Sequence, residues 1–278
     1  MRLTQALGKG TGLLGFGGMP KQSGRDSRAL LAHALGMPAD QIIVNADREI
    51  TDDEMARYEA LLHRRLEHEP VSRIIGRRMF WGRDFRITPH VLDPRPETET
   101  IVAEALAGSA PGTVLDLGTG SGILAVTLLA EWPGARGVAS DLSPEALIVA
   151  RSNAEDIGVA DRLDLVEADW FEGIDGVFEL IVSNPPYVTA DELTDLAPEV
   201  RDFDPTLALS PGGDGLDAYR SIAARAVAHL APGGRIMVEI GATQGPAVSA
   251  LLLAAGLSDV AVLPDMDGRD RVVSAVRR

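Results

Sequence analysis

The sequence predicts an α/β fold: a doubly wound, mostly parallel sheet of seven strands, preceded by a small helical N-terminal domain and joined to it by a β-hairpin. Three observations predict it. From about Pro111 onward, short apolar runs alternate with helical segments, the pattern of strands that cross over to parallel neighbours. From about Arg25 to Glu69 the pattern is helical only. Between the two run Met79-Phe80-Trp81, then Gly82-Arg83, then Phe85-Arg86-Ile87-Thr88, aromatic and branched residues around a short glycine-containing turn, as in a hairpin.

In chain order, Gly8, Gly10, Gly12, Gly15, Gly17 and Gly18 interrupt the first 20 residues, and a robust helix is not expected there. Leu30, Leu31, Ala34 and Leu35 recur at helical spacing until Gly36-Met37-Pro38 stops that helix. Thr51 and Glu54 form a capping box that opens a second helix through Tyr58, Leu61, Leu62 and Leu66. Residues 1–75 thus read as a helical domain, 76–90 as a hairpin linker and 91–278 as the α/β domain. In the last, strands are expected at Thr113–Leu117, Arg136–Ser140, Arg162–Glu167, Glu179–Ser183 and Arg235–Ile240. Helices are expected at Ile123–Trp132, Pro144–Ile157, Leu216–Leu230 and Gln244–Ala255. Asp259–Leu263 and Arg271–Val276 would close the sheet as a terminal pair.

Composition narrows the function classes. With no cysteine there is no disulfide scaffold, thiolate metal site or cysteine nucleophile, which fits a cytoplasmic protein. No apolar stretch of ~18 residues or more occurs, so no membrane span is expected. The glycine-rich start does not read as a signal peptide. The net charge of -15 is uneven: residues 1–90 carry 14 Arg/Lys against 11 Asp/Glu, and residues 91–278 carry 12 against 30. So acidic an α/β half repels a polyanionic backbone, which argues against a nucleic-acid substrate. His33, His63, His68, His90 and His229 have no ligand spacing, and no metal is expected.

Two loops carry the chemistry. Val114-Leu115-Asp116-Leu117 runs into Gly118-Thr119-Gly120-Ser121-Gly122 and then a helix. Glycines allow positive φ and a close approach to a ligand, and the helix start offers free N–H groups. A tight strand-to-helix turn needs glycines for itself, so the loop alone is ambiguous. Asp141 ends the next strand about 20 residues on, where a carboxylate accepts from ribose hydroxyls. Ser143, with Pro144 behind it, is the better helix cap, leaving Asp141 free for a ligand. Trp170 follows the third strand, placed to stack on an adenine or to line its pocket. No Lys or Arg sits in the glycine loop, which counts against a phosphate site of the GKS/T kind.

The second loop is Asn184-Pro185-Pro186-Tyr187, after the apolar run Leu180–Ser183. Two prolines stiffen the backbone and remove two donors. What remains is an acceptor pair, the Asn184 side-chain oxygen and the Pro185 carbonyl, with Tyr187 as a flat wall. Such a pair holds both hydrogens of a planar –NH2. An amide nitrogen is a poor nucleophile because its lone pair is delocalised. Holding its hydrogens turns that lone pair toward a sulfonium methyl, a gain of positioning and electrostatics, not of a conventional base.

These residues resemble the release-factor glutamine methyltransferases, the PrmC/HemK family, from about Arg25 to Val276. Beyond the two loops, the resemblance rests on Glu69-Pro70-Val71-Ser72-Arg73-Ile74-Ile75-Gly76, Phe80-Trp81-Gly82, Gly268-Arg269-Asp270-Arg271 and above all Val91-Leu92-Asp93-Pro94-Arg95-Pro96-Glu97-Thr98-Glu99. It implies a Rossmann-like methyltransferase sheet. It also implies methyl transfer from S-adenosyl-L-methionine to the glutamine side-chain amide in the Gly-Gly-Gln motif of class I peptide chain release factors. Gly118, Thr119, Gly120, Ser121, Gly122, Asp141, Trp170 and Asn184 would then contact the cofactor. Asn184, Pro185, Pro186 and Tyr187 would receive the glutamine, with Asn184, Pro185 and Tyr187 as the catalytic set. The helical N-terminal domain of a monomer would dock the release factor. Arg95, Glu97 and Glu99 would shape the site without assigned roles. One departure is the glycine-interrupted start, where the family has an ordinary helix; a broken first helix is expected here.

Two rival functions stay in view. A DNA adenine methyltransferase shares the Asn-Pro-Pro-Tyr loop but needs a substantial basic target-recognition region. A non-catalytic module binding S-adenosylmethionine would show binding without transfer to any nitrogen.

Overall fold

The computed structural model describes all 278 residues, Met1–Arg278, and they form two compact units. Unit 1 is Met1–Arg77 together with Pro198–Phe203; unit 2 is Arg78–Ala197 and Asp204–Arg278.

Unit 1 packs helices Leu3–Phe16, Ser23–Leu35 and Asp52–Leu66 around Leu3, Leu14, Leu30, Leu31, Tyr58 and Leu62. The Thr51–Glu54 capping box is present: Glu54 N donates to Thr51 Oγ1 at 3.2 Å, and Thr51 N to Glu54 Oε2 at 2.9 Å. The expectation of a broken first helix is wrong, because Leu3–Phe16 is continuous. Its buried face is Leu3, Ala6, Gly10 and Leu14, a helical stripe sufficient to order it against its neighbours. Gly10 lies in the contact itself. A Cβ there would stand 1.8 Å from the Tyr58 hydroxyl oxygen and 2.9 Å from Ser27 Oγ, atoms that hydrogen-bond each other at 2.6 Å. The propensity cost of glycine is offset by the close helix crossing that only glycine permits.

Unit 1 also buries an ion pair. Arg65 and Asp26 are both 3% exposed, and Arg65 Nε donates to Asp26 Oδ2 at 2.9 Å. The remaining guanidinium nitrogens reach Gln22, the Glu69 carbonyl and Glu199.

The first residues of unit 2 belong to the hairpin of β1 (Arg77–Phe80), whose first residue is the last of the Met1–Arg77 segment, and β2 (Arg83–Arg86). φ is positive at both turn residues, Trp81 and Gly82, as a primed two-residue turn requires. The main sheet follows: β3 (Thr113–Leu117), β4 (Arg136–Asp141), β5 (Leu163–Glu167), β6 (Phe178–Ser183), β7 (Leu230–Glu239), β8 (Ser258–Pro264) and β9 (Asp270–Val276). Their order is β5-β4-β3-β6-β7-β9-β8, parallel through β7, with β9 antiparallel to both its neighbours. Alternate residues bury to opposite faces. Val114, Leu180, Val182 and Met237 pack with the hairpin and helices Ile123–Glu131 and Pro144–Ile157. Leu115, Ile181, Ile236 and Val238 pack with helices Asp217–His229 and Gly245–Ala254. The strand order reverses between β3 and β6, so a crevice opens at their C-terminal ends.

Candidate active site

The reversal sets the two signature loops side by side. β3 and β6 pair in parallel with Leu117 opposite Ser183, so Gly118 and Asn184 leave the sheet as neighbours. Ser183 Oγ donates to the Leu117 carbonyl at 2.7 Å and ties the two strand ends.

The glycine loop holds its shape through two acids. φ is +67° at Gly118, +56° at Gly120 and +83° at Gly122. Asp116 Oδ2 accepts from Thr119 Oγ1 at 2.6 Å and from Ala125 N at 3.1 Å. Its Oδ1 is buried without a hydrogen-bond partner, and burial pushes its pKa up to about 7. Asp141 is not free, contrary to the sequence reading. Its Oδ2 accepts from Gly120 N at 2.8 Å and its Oδ1 from Ser143 N at 2.9 Å. Desolvation still raises its pKa, against the pull of those N–H donors. Ser143 does cap the following helix, accepting from Ala146 N at 3.1 Å. Each carboxylate oxygen has a second lone pair, so Asp141 can brace the loop and still accept from a ligand.

A cavity of about 470 Å³ opens here, a size typical of small-molecule sites. Gly118 to Ser121, Asp141, Trp170, Asn184 and Pro186 line it; Gly122, Pro185 and Tyr187 do not. Gly122 instead meets a neighbouring helix, where a Cβ would come within 3.2 Å of Ala150 Cβ. The Trp170 ring lies beside the loop, 3.9 Å from where a Gly118 Cβ would be, and Trp170 itself has a positive φ of 52°. Four acidic residues, Asp116, Asp141, Asp169 and Asp217, are among those lining the cavity, and no Lys or Arg is. That wall suits a cationic ligand and opposes a pyrophosphate. A sulfonium with an α-ammonium group therefore fits these residues, and a dinucleotide does not. Residues 89–92, of which Val91 and Leu92 open the Val91–Glu99 motif, also line it, as do residues of the segment 205–211, which no motif in the sequence had marked.

Behind Asn184 lies a polar layer that the sequence reading also missed. Asn184 Nδ2 donates to Thr98 Oγ1 at 3.2 Å. Glu239 ends β7 at 1% exposure; burial pushes its pKa up to about 7, while Thr98 and Arg271 favour its charge. The Tyr187 hydroxyl reaches Glu239 Oε1 at 3.5 Å, and burial and this carboxyl raise the Tyr187 pKa. The Tyr187 backbone is held too: its N–H donates to the Leu209 carbonyl and its carbonyl accepts from Gln244 Nε2, both at 3.1 Å. A signal was available, since Asp116 and Glu239 are single acids inside apolar strand runs. Two of the three unassigned motif residues have hydrogen-bond partners: Arg95 donates to the buried Asp204, and Glu99 accepts from Trp81 N at 2.7 Å.

Comparison with known proteins decides the family. Residues 5–76 match the PrmC N-terminal domain, and residues 97–201 match the methyltransferase small domain. A release factor glutamine methyltransferase of Cereibacter sphaeroides is 54% identical over 99% of this chain and 98% of its own length. The chain belongs to the release factor glutamine methyltransferase family. A second member, from Rhodospirillum rubrum, is 42% identical over 99% of this chain and 85% of its own. Among solved structures, a methyltransferase from Pyrococcus furiosus shares the fold with TM-score 0.54 at 18% identity, over 71% of this chain and 90% of that one. As a release factor glutamine methyltransferase the chain is dependent on S-adenosylmethionine, in keeping with the acidic cavity wall. No helix of the chain is long and apolar enough to cross a membrane.

Proposed function

We propose that this chain methylates the side-chain amide nitrogen of the glutamine in the Gly-Gly-Gln motif of class I peptide chain release factors. It does so as a cytoplasmic monomer whose helical N-terminal domain, residues 1–75, docks the protein substrate. The observation that carries the reading is the pairing of Leu117 with Ser183, which brings the glycine loop and Asn184 to one cavity.

Gly118 to Ser121, Asp141 and Trp170 hold S-adenosylmethionine, which when bound supplies an electrophilic methyl group. The loop's glycines admit the ligand to the backbone, Asp141 accepts from the ribose, and Trp170 flanks the adenine. Asn184 Oδ1 and the Pro185 carbonyl accept the two hydrogens of the substrate –NH2. Both acceptors are rigid, one through its bond to Thr98 and the other through the proline ring. Held so, the nitrogen presents its lone pair along one direction. Transfer would form the nitrogen–carbon bond as the sulfonium–methyl bond breaks, leaving S-adenosyl-L-homocysteine as the thioether product, and one of the two hydrogens would leave as a proton to solvent. Preorganised acceptors of this kind act where charge develops and need not reorganise during the step.

Two measurements test this. Incubation with a release factor and labelled cofactor should add one methyl to the Gly-Gly-Gln peptide, read by mass spectrometry; no mass gain there would move the substrate to another amide or amine. Asn184→Ala should abolish transfer while calorimetry finds most cofactor affinity retained, and undiminished turnover would remove Asn184 from its role.

A further inference from the structure

The orientation of the Asn184 amide matters because only its oxygen can accept from a substrate –NH2. The polar layer behind it determines that orientation. Thr98, in the turn Pro96–Thr98, is fully buried; its hydroxyl accepts from Asn184 Nδ2 at 3.2 Å and favours the charged form of the Glu239 carboxyl. A hydroxyl has one hydrogen and two lone pairs, and an ionised carboxyl only accepts. Facing Glu239, the Thr98 hydrogen turns to the carboxylate and its lone pairs turn to Asn184. Asn184 must then present Nδ2 to Thr98, which leaves Oδ1 for the cavity. A flipped amide would set its –NH2 against the substrate's, donor against donor, with the Thr98 lone pairs facing an oxygen.

We propose that Thr98, polarised by Glu239, is the positioning residue that decides which end of the Asn184 amide meets the substrate nitrogen. This rests on Asn184 being the substrate's acceptor. Glu239 Oε2 has no hydrogen-bond partner, Oε1 meets the Tyr187 hydroxyl at 3.5 Å, and the backbone carbonyl of Glu239 accepts from the Tyr219 hydroxyl at 2.8 Å. Around the carboxyl stand Thr98 and Glu97 from the same turn, Tyr187 from the loop after β6, Tyr219 from its helix and Arg271 from β9. Protonation of Glu239 reverses the logic: a neutral carboxyl donates to Thr98, which can then turn its own hydrogen to Asn184 and admit the flipped amide.

The test compares Thr98→Val, which keeps the shape and removes the hydroxyl, with Thr98→Ser, which restores it, in the full-length enzyme with S-adenosylmethionine and a release factor. Thr98→Val should lose about 100-fold in kcat, the cost of roughly an ångström of misplacement at a reacting atom. Its KM for the release factor and its affinity for S-adenosylmethionine by calorimetry should stay within about twofold, because neither ligand is placed against Thr98. Thr98→Ser should recover most of kcat. Wild-type kcat should fall as pH drops through about 7, a limb that Thr98→Val lacks. The side-chain ¹⁵N–¹H pair of Asn184, assigned by its absence in Asn184→Ala, should be exchange-protected in wild type and Thr98→Ser and exposed in Thr98→Val. If Thr98→Val does not fold, Thr98→Ala carries the same expectations without added bulk. Wild-type turnover in the hydroxyl-less variant, or a serine variant as impaired as the valine one, overturns the proposal. Full turnover by Asn184→Ala would instead overturn the reading on which it rests.

Discussion

Replacing glycines of the first helix by alanine should change the sign of the stability effect within one turn. Gly8 and Gly12 have open space where a Cβ would stand, with no heavy atom within 4 Å. Alanine there should raise stability by about 1 kcal/mol each, the ordinary difference in helix propensity. At Gly10 the same methyl would stand 1.8 Å from the hydroxyl oxygen and 2.7 Å from Cζ of Tyr58, a residue that is fully buried. The ring must move, at a cost of about 1–3 kcal/mol for overpacking. Its hydroxyl then loses Ser27 at 2.6 Å, leaving a buried polar group unpaired for about 1–3 kcal/mol more. Less the propensity gain of about 1 kcal/mol, Gly10→Ala should destabilise unit 1 by roughly 1–5 kcal/mol. Because the chain has two units, a single unfolding midpoint is a poor readout. Urea titration with hydrogen exchange followed at the amides of Leu3–Phe16 reports the local effect. Stabilisation by Gly10→Ala equal to that of Gly8→Ala would show that the helix crossing does not need glycine.

Other predictions concern charge. Asp141→Ala should raise the dissociation constant for S-adenosylmethionine about tenfold or more, the size of a lost charge-assisted hydrogen bond; an unchanged value by calorimetry would rule out the ribose contact. Arg65→Met leaves Asp26 buried with only the exposed Arg25 near it, and should cost about 3–5 kcal/mol, most of it recovered when Asp26→Leu is added. Asp116 and Glu239, whose pKa values burial raises from 3.8 and 4.5 to about 7, bind protons more tightly folded than unfolded. Their contribution is therefore fully present below the unfolded values and is lost as pH rises through about 7. Glu239→Gln should gain about 3 kcal/mol relative to wild type between about pH 4 and pH 8 in urea titrations with hydrogen exchange followed at the amides of β7; a pH-independent difference would contradict the raised pKa.

How far the sequence could be read varies from element to element. The five parallel strands, β3 to β7, overlap their expected places because apolar runs and flanking helices mark them locally, though β7 begins at Leu230, five residues early. The terminal pair joined the sheet, but β9 inserted between β7 and β8, an order that no local pattern encodes. Asp141 was legible as an acid at a strand end. Its bonds to Gly120 and Ser143 were not, because Gly120 is distant in sequence and arrives only when β3 and β4 pair. Thr98 lay within a recognised motif without a role, since its partners Asn184 and Glu239 come from β6 and β7.

Sequence alone settles what depends on neighbouring residues: which segments are helix or strand, which loops carry glycine or proline, and which side chains have the chemistry to hold an –NH2. Family membership followed from the same information, since motifs are strings. Tertiary structure decided whatever depends on which distant residues meet. It ordered a glycine-laden helix through one close crossing with Tyr58. It set Gly118 beside Asn184 through the pairing of Leu117 with Ser183. It placed Thr98 and a buried carboxyl behind the amide that must face outward. Propensity is a sum over local preferences worth up to about 1 kcal/mol per residue. Packing and burial act at single contacts with several times that energy, and at Gly10 and Thr98 they prevail.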